Sequence, residues 1–518
     1  MKKFLEKTEE IIRKIVSCRF LYYIIIMALF TAVYYIDFKL RLQENNIQDM
    51  NNHIKYFFST LGVIGLVILI LVIFSKKIYQ KLQPHIVYMI LGLMIGGIYC
   101  FVVPLCAQSD EPAHLYRTFQ AAQGEIIAPI KDNEFKTELP QSVINMVNVN
   151  SETKKREYKK YYDIKEMMQI KLNENEKTEI STVGNYNGLS YFPQLVGVKI
   201  GLILKLNPYY IAMLGRISSL IITVLLLSFG IKKLPKHKLF ATIVLLSPVV
   251  LSYAASFTTD NAIIITAFLI ISYVLHFMES KEKIKWWEYI IFVMLTFIIA
   301  ISKMAYLPLV GLWLFIPKEC FKKPRNKWIF TAIFIMFGLI STIWMIKTTA
   351  MDIGTSENTE VTLNSWIYKN PIGYLTVLFR TIANNAYDYL ENMFAGHFLC
   401  HNQVLPYAIV PVSYIAIVVM SFFSDENKKK TTMYQKILVT GIILVSFAMI
   451  ATAMYVYNTS FKNPTIIGVQ GRYLLPLLLL AVFFANKKKL DIEEYKLVNI
   501  ALIANYGVYL AMLTKFFV

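Results

Sequence analysis

Two adjacent carboxylates open the segment of the chain that is best suited to acid–base chemistry. Asp110 and Glu111 are followed by His114 and Arg117, and the three-residue spacing from Glu111 onward puts these side chains on neighbouring turns of one helix face. A carboxylate or an imidazole can take a proton from a hydroxyl group. We expect Asp110 or Glu111 to be a base that His114 orients. The structural alternative is that Asp110 caps a helix whose first turn favours acids.

Basic residues at the ends of apolar runs predict a site for a phosphate group. Lys303 interrupts a long apolar run, and Arg472 opens another one within the segment 468–473, GVQGRY. Arginine binds phosphate through two nitrogens, and the glycines allow close backbone approach. The alternatives are a snorkelling lysine and an interfacial arginine anchor. The residues predicted to bind the phosphate are Arg117, Lys303, Gln470, Arg472 and Tyr473.

Two further polar residues also lie near the ends of apolar runs. Asp260 belongs to the short polar turn 256–261, and Arg216 lies inside a run near one end. We expect them to contact an acceptor or a divalent cation such as Mg²⁺ or Mn²⁺, although the sequence makes no cofactor certain. For Asp260 the alternative is ordinary turn and cap chemistry. The five scattered cysteines show neither disulfide nor zinc-site spacing.

Carboxylates and cations at one membrane face are suited to the transfer of a group from a lipid-linked phosphate to an acceptor hydroxyl. The lipid tail would lie in the bilayer, lysine and arginine would hold the phosphate, and a carboxylate would take the proton of the acceptor hydroxyl. The chain shows neither a P-loop nor a dinucleotide-binding fingerprint, which agrees with a donor that is not a cytoplasmic nucleotide.

The composition predicts a membrane protein. Of 518 residues 56% are hydrophobic and 17% are charged, and the formal net charge is +19. This apolar fraction excludes a soluble multidomain protein and a disordered chain. Nucleic acid is not an expected partner, because the basic residues concentrate in short clusters between apolar runs. We predict an all-α polytopic protein with about 13 spans: 20–38, 56–75, 86–106, 208–230, 239–256, 260–278, 285–301, 304–317, 328–346, 404–423, 437–457, 472–486 and 495–516.

Lysine and arginine bias predicts the orientation of these spans. The N-terminus would be cytoplasmic, and the regions 107–207 and 347–403 would be external. The stretch 189–206 is apolar enough to span, but crossing there would invert every later basic cluster. We therefore interpret it as a helix lying in the external interface.

Several motifs together resemble a bacterial membrane family known as domain of unknown function 2142. The resemblance covers roughly residues 88–518 and leaves 1–85 as an N-terminal two-helix addition to a main domain, 86–518. The motifs are Asp110-Glu111-Pro112-Ala113-His114-x-Tyr116-Arg117, Tyr191-x-Pro193-Gln194, Ser256-x-x-x-Asp260, Lys303-x-x-Tyr306-Leu307-Pro308 and Gly468-Val469-Gln470-Gly471-Arg472-Tyr473.

That family is similar in plan to the GT-C superfamily of membrane glycosyltransferases, which includes protein O-mannosyltransferases and the aminoarabinose transferase of lipid A. The resemblance implies an inverting transferase in the bacterial cytoplasmic membrane, with its active site on the outer face. It would move a sugar from a polyprenyl-phosphate donor to a cell-envelope glycan or a lipid-linked acceptor. Asp110 matches the acidic residue of the first external loop, and 189–206 matches the juxtamembrane helix.

Two other classes of function remain open from the sequence. A transporter or lipid-linked-glycan flippase would need polar residues through the depth of the helix bundle. A polysaccharide polymerase or ligase would share the outer-face chemistry but use diphosphate-linked oligosaccharides.

Overall fold

The structure is a computed structural model that describes residues 21–45, 50–131, 134–151, 164–353, 366–395, 406–424, 431–460, 463–485 and 493–516. The basic N-terminal segment that predicts a cytoplasmic start lies outside these residues, as does part of the region 347–403. Helices dominate the described chain, and one small sheet is the exception to the all-α prediction.

The α-helices follow one another along the chain, with short connections in most places. They are α1 (Leu21–Glu44), α2 (Met50–Lys81), α3 (Pro84–Val102), α4 (Glu111–Ala122), α5 (Gln141–Ser151), α6 (Ile164–Gln169), α7 (Phe192–Ile203), α8 (Pro208–Lys233), α9 (Lys238–Leu245), α10 (Pro248–Ala254), α11 (Asp260–Ser280), α12 (Trp286–Ser302), α13 (Pro324–Ile353), α14 (Pro371–Phe394), α15 (Ile409–Phe422), α16 (Met433–Asn458), α17 (Leu475–Leu478) and α18 (Glu494–Phe516).

Eight helices of the described chain are long and apolar enough to cross a membrane: α1, α2, α3, α8, α11, α13, α16 and α18. Each coincides with a predicted span, so the prediction of a polytopic helical membrane protein is confirmed. Exposed apolar side chains cover the outer faces of α1, α2 and α13, as expected of helices that contact lipid. In contrast, α11 and α18 are almost entirely enclosed by other helices.

The other five predicted spans are short or irregular, so a total of about 13 spanning helices is not confirmed. The run 239–256 divides into α9 and α10, because Pro248 has no N–H to continue a helix and Ser247 caps the new one through the Val250 N–H. The run 304–317 is a 3₁₀ helix, Met304–Phe315, with Pro308 inside it.

The remaining three runs fall below the usual spanning length of about 20 residues. The predicted spans 285–301 and 404–423 form α12 and α15, with 17 and 14 residues. The run 472–486 alternates between 3₁₀ turns, Gly471–Leu474 and Leu479–Phe484, and the single turn of α17. Their apolar composition led to the prediction of membrane spans, but composition does not indicate where a helix is interrupted.

The region 107–207 is a folded lobe. Three short antiparallel strands, β1 (Ile130–Lys131), β2 (Glu134–Pro140) and β3 (Lys177–Ser181), pair in the order β1-β2-β3. Helices α4 and α5 pack against β2. A separate apolar core, which includes Leu115, Phe119, Leu139 and Val143, holds this lobe together.

The stretch 189–206 forms a 3₁₀ turn, Gly188–Tyr191, followed by α7. Helix α7 has 12 residues, which correspond to about 18 Å of helix and are too short to cross a hydrocarbon core of about 30 Å. It packs closely along α8, since a Cβ on Gly197 would clash with the Leu214 carbonyl. The structure therefore agrees with a helix that does not span.

Helices α1 and α2 pack against the last helix, α18. The Thr31 and Tyr506 hydroxyls lie 2.7 Å apart across this contact. Residues of all three helices belong to the main hydrophobic core. The division into an addition, 1–85, and a main domain, 86–518, stays a prediction.

Candidate functional site

Asp110 lies at the junction between α3 and α4 in a backbone conformation that few side chains adopt. Its φ is 60° and its ψ is 8°, in the left-handed region that Asp and Asn enter more readily than most other non-glycine residues. The carboxylate makes no cap hydrogen bond to α4; it accepts one from Ser109 Oγ at 3.2 Å and is exposed. Strained backbone of this kind concentrates at functional sites.

Glu111, the next residue, is completely buried and paired with Arg216. Its Oε1 and Oε2 accept hydrogen bonds from Arg216 Nε and Nη2 at 2.9 and 2.7 Å. The Phe257 N–H also donates to Oε1, at 3.2 Å. Arg216 completes its hydrogen bonds on the carbonyls of Val103 and Pro104, at 2.7 and 2.9 Å. This ion pair is inaccessible to solvent, and its hydrogen bonds connect the end of α3 and the turn before α11 to α8.

Arg117 is also enclosed by protein. Its Nε, Nη1 and Nη2 donate to the carbonyls of Tyr186, Glu125 and Ile126 at 3.0, 2.9 and 2.6 Å. Burial lowers the pKa of this guanidinium from its ordinary value. The structure thus places Arg117 as a support for two loops of the lobe, with each of its three guanidinium nitrogens bound to a backbone carbonyl.

His114 lies between aromatic residues on the inner side of α4. Its Nδ1 is 2.6 Å from the Tyr191 hydroxyl, and the Tyr186 and Tyr191 ring centres lie 5.6 Å from the imidazole centre. Burial lowers the pKa of His114 to about 4, and the charges of Asp110 and Asp260 oppose that shift only in part. The imidazole is therefore neutral at neutral pH, the form that can accept a proton.

Asp260, Lys303 and Arg472 form one cluster, the Asp260 cluster, assembled from distant parts of the chain. Lys303 Nζ donates to Asp260 Oδ1 at 2.5 Å, and Arg472 Nε donates to Oδ2 at 3.1 Å. Three of the predicted site residues are thus in direct contact. A single carboxylate bridges the two cations.

Tyrosines line the Asp260 cluster. Lys303 Nζ lies 4.5 Å from the centre of the Tyr473 ring, and the Arg472 guanidinium carbon lies 4.7 Å from that of Tyr253 and 5.0 Å from that of Tyr473. Arg472 also hydrogen-bonds the hydroxyls of Tyr253 and Tyr473. The Tyr306 hydroxyl donates to the Tyr473 carbonyl at 2.8 Å. Cation–π contacts of this kind orient both cations.

Gln470 precedes the 3₁₀ turn that carries Arg472 and Tyr473. Its carbonyl accepts the Tyr473 N–H at 3.0 Å, so its backbone shapes the turn. Gly471 lies directly on α14, where a Cβ would clash with the Tyr389 carbonyl. Only a glycine allows the turn to approach α14 this closely.

The two ion-paired groups differ in exposure. The side chains of Arg216 and Glu111 are 1% and 0% exposed, whereas those of Lys303, Arg472 and Asp260 are 21%, 13% and 12% exposed. The Asp260 cluster therefore faces an opening. The charges of Asp110, Asp260, Lys303 and Arg472 all act on His114, so the imidazole lies within electrostatic reach of both the exposed carboxylate and the cluster.

An apolar cavity of about 590 Å³ adjoins Lys303 and Tyr473. Its walls come from the end of α12, the 3₁₀ helix that follows, and the facing sides of α13 and α16. Trp344, Met449, Ala453 and Val456 are among the lining residues. The cavity is therefore mostly hydrophobic and lies beside two membrane-spanning helices, and its lining includes the charged side chain of Lys303.

The sequence did not assign a role to several residues that complete this site. Tyr253 lies in an apolar run and Tyr186 lies in the lobe. A single tyrosine in either place does not indicate a functional site. Tyr191 and Gln194 belong to a recognised motif, but their roles appear only in three dimensions. Gln194 Nε2 donates to the carbonyls of Ser256 and Thr258 at 3.2 and 2.8 Å, which fixes the turn before Asp260.

The described residues contain no group of three or more His, Cys, Asp or Glu side chains that could hold a metal ion. Both oxygens of Asp260 already accept hydrogen bonds from cations. Asp260 is therefore a partner of Lys303 and Arg472, and its predicted contact with an acceptor or a divalent cation stays a prediction.

Comparison with known proteins gives one match. The model of a family described as a predicted membrane protein, DUF2142, matches residues 93–481. Searches of curated proteins and of solved structures find no match. The family match includes the region after α3, the Asp260 cluster and the turn at Arg472, and on this basis the chain belongs to the DUF2142 family of predicted membrane proteins.

Proposed function

We propose that this protein is a membrane glycosyltransferase that moves a sugar from a polyprenyl-phosphate donor to a cell-envelope glycan or a lipid-linked acceptor. The observation that carries the proposal is the position of Lys303. Its ammonium group lies in the partly open Asp260 cluster, and Lys303 also lines the apolar cavity beside α13 and α16. A lipid phosphate has the same two parts, a charged head and an apolar tail.

The cavity supports a prenyl chain as the tail. Its lining is mainly aliphatic and aromatic, and it lies against helices whose outer faces suit lipid. In a bilayer, a tail could enter from the hydrocarbon region while the phosphate stays at the polar boundary. Lys303 and Arg472 would hold the phosphate, with Tyr473 between their side chains.

In the proposed reaction the acceptor hydroxyl oxygen attacks the anomeric carbon of the sugar. A new carbon–oxygen bond forms, and the bond from that carbon to the phosphate oxygen breaks with inversion. The hydroxyl proton goes to the carboxylate of Asp110, and the electron pair leaves with polyprenyl phosphate. The added negative charge on the phosphate is stabilised by Lys303 and Arg472. Neutral His114 would orient the acceptor.

Asp110 is a better candidate for the base than Glu111. The Asp110 carboxylate is exposed and its one hydrogen bond comes from the neighbouring Ser109 hydroxyl. The Glu111 carboxylate is fully enclosed by Arg216 and backbone N–H groups. The proposed reaction takes place at the external face of the bacterial cytoplasmic membrane, to which the charge bias assigns the lobe.

The test is transfer of a radiolabelled sugar from polyprenyl phosphate by purified protein. Asp110→Asn removes the base and keeps a residue that tolerates the left-handed backbone. We expect transfer to fall about 10²- to 10⁴-fold. The matched control is Asp388→Asn, which removes an exposed carboxylate on α14 and should leave transfer unchanged. Transfer at the wild-type rate by Asp110→Asn would rule out the base assignment.

A further inference from the structure

We infer that Asp260 selects the class of lipid donor, by cancelling one of the two positive charges so that the site accepts a monoanionic phosphodiester in preference to a dianionic diphosphate. This inference rests on the proposed function and deepens it. It also bears on the polymerase or ligase alternative, whose donors carry a diphosphate. The observation behind it is that one carboxylate bridges Lys303 and Arg472 in the partly open Asp260 cluster.

Asp260 is held firmly in place. It is the first residue of α11, where the helix dipole favours a negative charge. Its N–H donates to Thr258 Oγ1 at 3.1 Å, and Gln194 fixes the carbonyls of the same turn. These contacts hold the backbone of Asp260, and Lys303 and Arg472 bind its two carboxylate oxygens. We therefore expect an entering phosphate to bind beside the carboxylate without displacing it.

The hydrogen-bond donors left over match the oxygens of one phosphodiester. Arg472 has five N–H donors, of which one each goes to Asp260, Tyr253 and Tyr473. Lys303 has three, of which one goes to Asp260. Within the described chain this leaves two donors on each residue. A phosphodiester has two free oxygens, each of which can accept two hydrogen bonds.

The net charge of the Asp260 cluster also matches the charge of a phosphodiester. Lys303, Arg472 and Asp260 together carry one net positive charge, which balances the single negative charge of a phosphodiester. His114 adds no charge, because burial keeps its imidazole neutral. A diphosphate diester carries a second negative charge, and the exposed Asp110 carboxylate contributes to the same region. Unbalanced charge near a site of low dielectric constant is costly.

The experiment compares the binding of two sugar-free probes to the full-length protein in detergent. One probe is polyprenyl methyl phosphate, a monoanion, and the other is polyprenyl methyl diphosphate, a dianion. We expect the wild type to bind the monophosphate about tenfold more tightly. In Asp260→Asn we expect the ratio of the two affinities to shift towards the diphosphate by about tenfold or more. Asp260→Glu keeps the charge and should keep the wild-type preference, and Asp388→Asn controls for general charge.

The outcomes separate the inference from the proposed function. If the wild type prefers the monophosphate and Asp260→Asn keeps the same ratio, Asp260 does not select the donor, although the proposed function stands. If the wild type binds the diphosphate as tightly as the monophosphate, the inference is overturned without reference to any variant. If the wild type binds neither probe, the proposed function fails and the inference fails with it.

Discussion

Glu111 and Arg216 form an ion pair that is sealed from solvent, with Arg216 Nε and Nη2 at 2.9 and 2.7 Å from the two oxygens of Glu111. Asp110, the neighbour of Glu111 in the chain, has an exposed carboxylate. Two adjacent acids thus take opposite roles. Glu111 connects helices through its buried ion pair, whereas the Asp110 carboxylate is accessible and can act as the proposed base.

Glu111→Gln should destabilise the protein strongly. It leaves the Arg216 charge buried without its partner, and breaking a buried pair in this way costs about 3–5 kcal/mol. The measurement is thermal or chemical unfolding of purified protein in detergent. In the double variant Glu111→Gln/Arg216→Met no buried charge is left, so its loss of stability should be smaller than the sum of the single losses. Additive losses would show that the pair is not coupled.

Asp110 variants should separate backbone strain from chemistry. At φ 60°, Asp110→Ala should be less stable than Asp110→Asn by about 1 kcal/mol, because alanine tolerates the left-handed region less well. Both variants should lose sugar transfer to the same extent, since both lack the carboxylate. Unfolding and transfer assays on the same preparations measure the two effects. A transfer loss that follows stability would point to a structural role for Asp110.

Arg117→Lys should loosen the lobe without weakening the binding of a lipid phosphate. Lysine cannot reach all three carbonyls, and loss of hydrogen bonds from a buried charged group should cost about 2–4 kcal/mol. Hydrogen exchange should rise in the loops that contain Glu125, Ile126 and Tyr186.

The comparison variant for Arg117 is Arg472→Lys. It should lower the affinity for polyprenyl methyl phosphate, because it removes the bridge to Asp260 and the contacts with Tyr253 and Tyr473. Lower affinity in Arg117→Lys and unchanged affinity in Arg472→Lys would reverse the two assignments.

Much of the molecular class could be predicted from sequence, because a long apolar run has few alternatives to a membrane helix. Segments with internal breaks were predicted less well: Pro248 and Pro308 interrupt helices without lowering the apolar content. Motif positions located Asp110, Asp260, Lys303 and Arg472 as site candidates. Which of the charged side chains touch one another, and which are sealed from solvent, could not be predicted, because both depend on partners that are distant in sequence.

The histidine of the site should make stability depend on pH. Burial holds the pKa of His114 at about 4, below its ordinary value of 6.5. Above about pH 6.5 both the folded and the unfolded chain have a neutral imidazole. As the pH falls from about 6.5 to about 4, only the unfolded chain gains a proton, so the free energy of unfolding decreases.

The contribution of His114 can be isolated with His114→Gln. Glutamine does not titrate and can still hydrogen-bond the Tyr191 hydroxyl. The decrease in unfolding temperature between neutral pH and pH 4 should therefore be smaller in the variant than in the wild type. Asp110, Asp260, Lys303 and Arg472 act on the imidazole and are retained in both proteins. Equal decreases would show that another group is responsible.

The turn that carries Arg472 depends on a small residue at its first position. Gly471→Ala places a methyl group against the Tyr389 carbonyl and the Met393 N–H of α14, and backbone on both sides leaves little room to adjust. We expect a loss of about 1–3 kcal/mol and weaker binding of polyprenyl methyl phosphate, because Arg472 and Tyr473 move with the turn. The matched control is Gly441→Ala in α16, where the added methyl group meets no neighbour and alanine favours the helix. Gly441→Ala should leave both stability and probe binding near the wild-type values. Normal probe binding by Gly471→Ala would show that the close approach of the turn to α14 does not position Arg472.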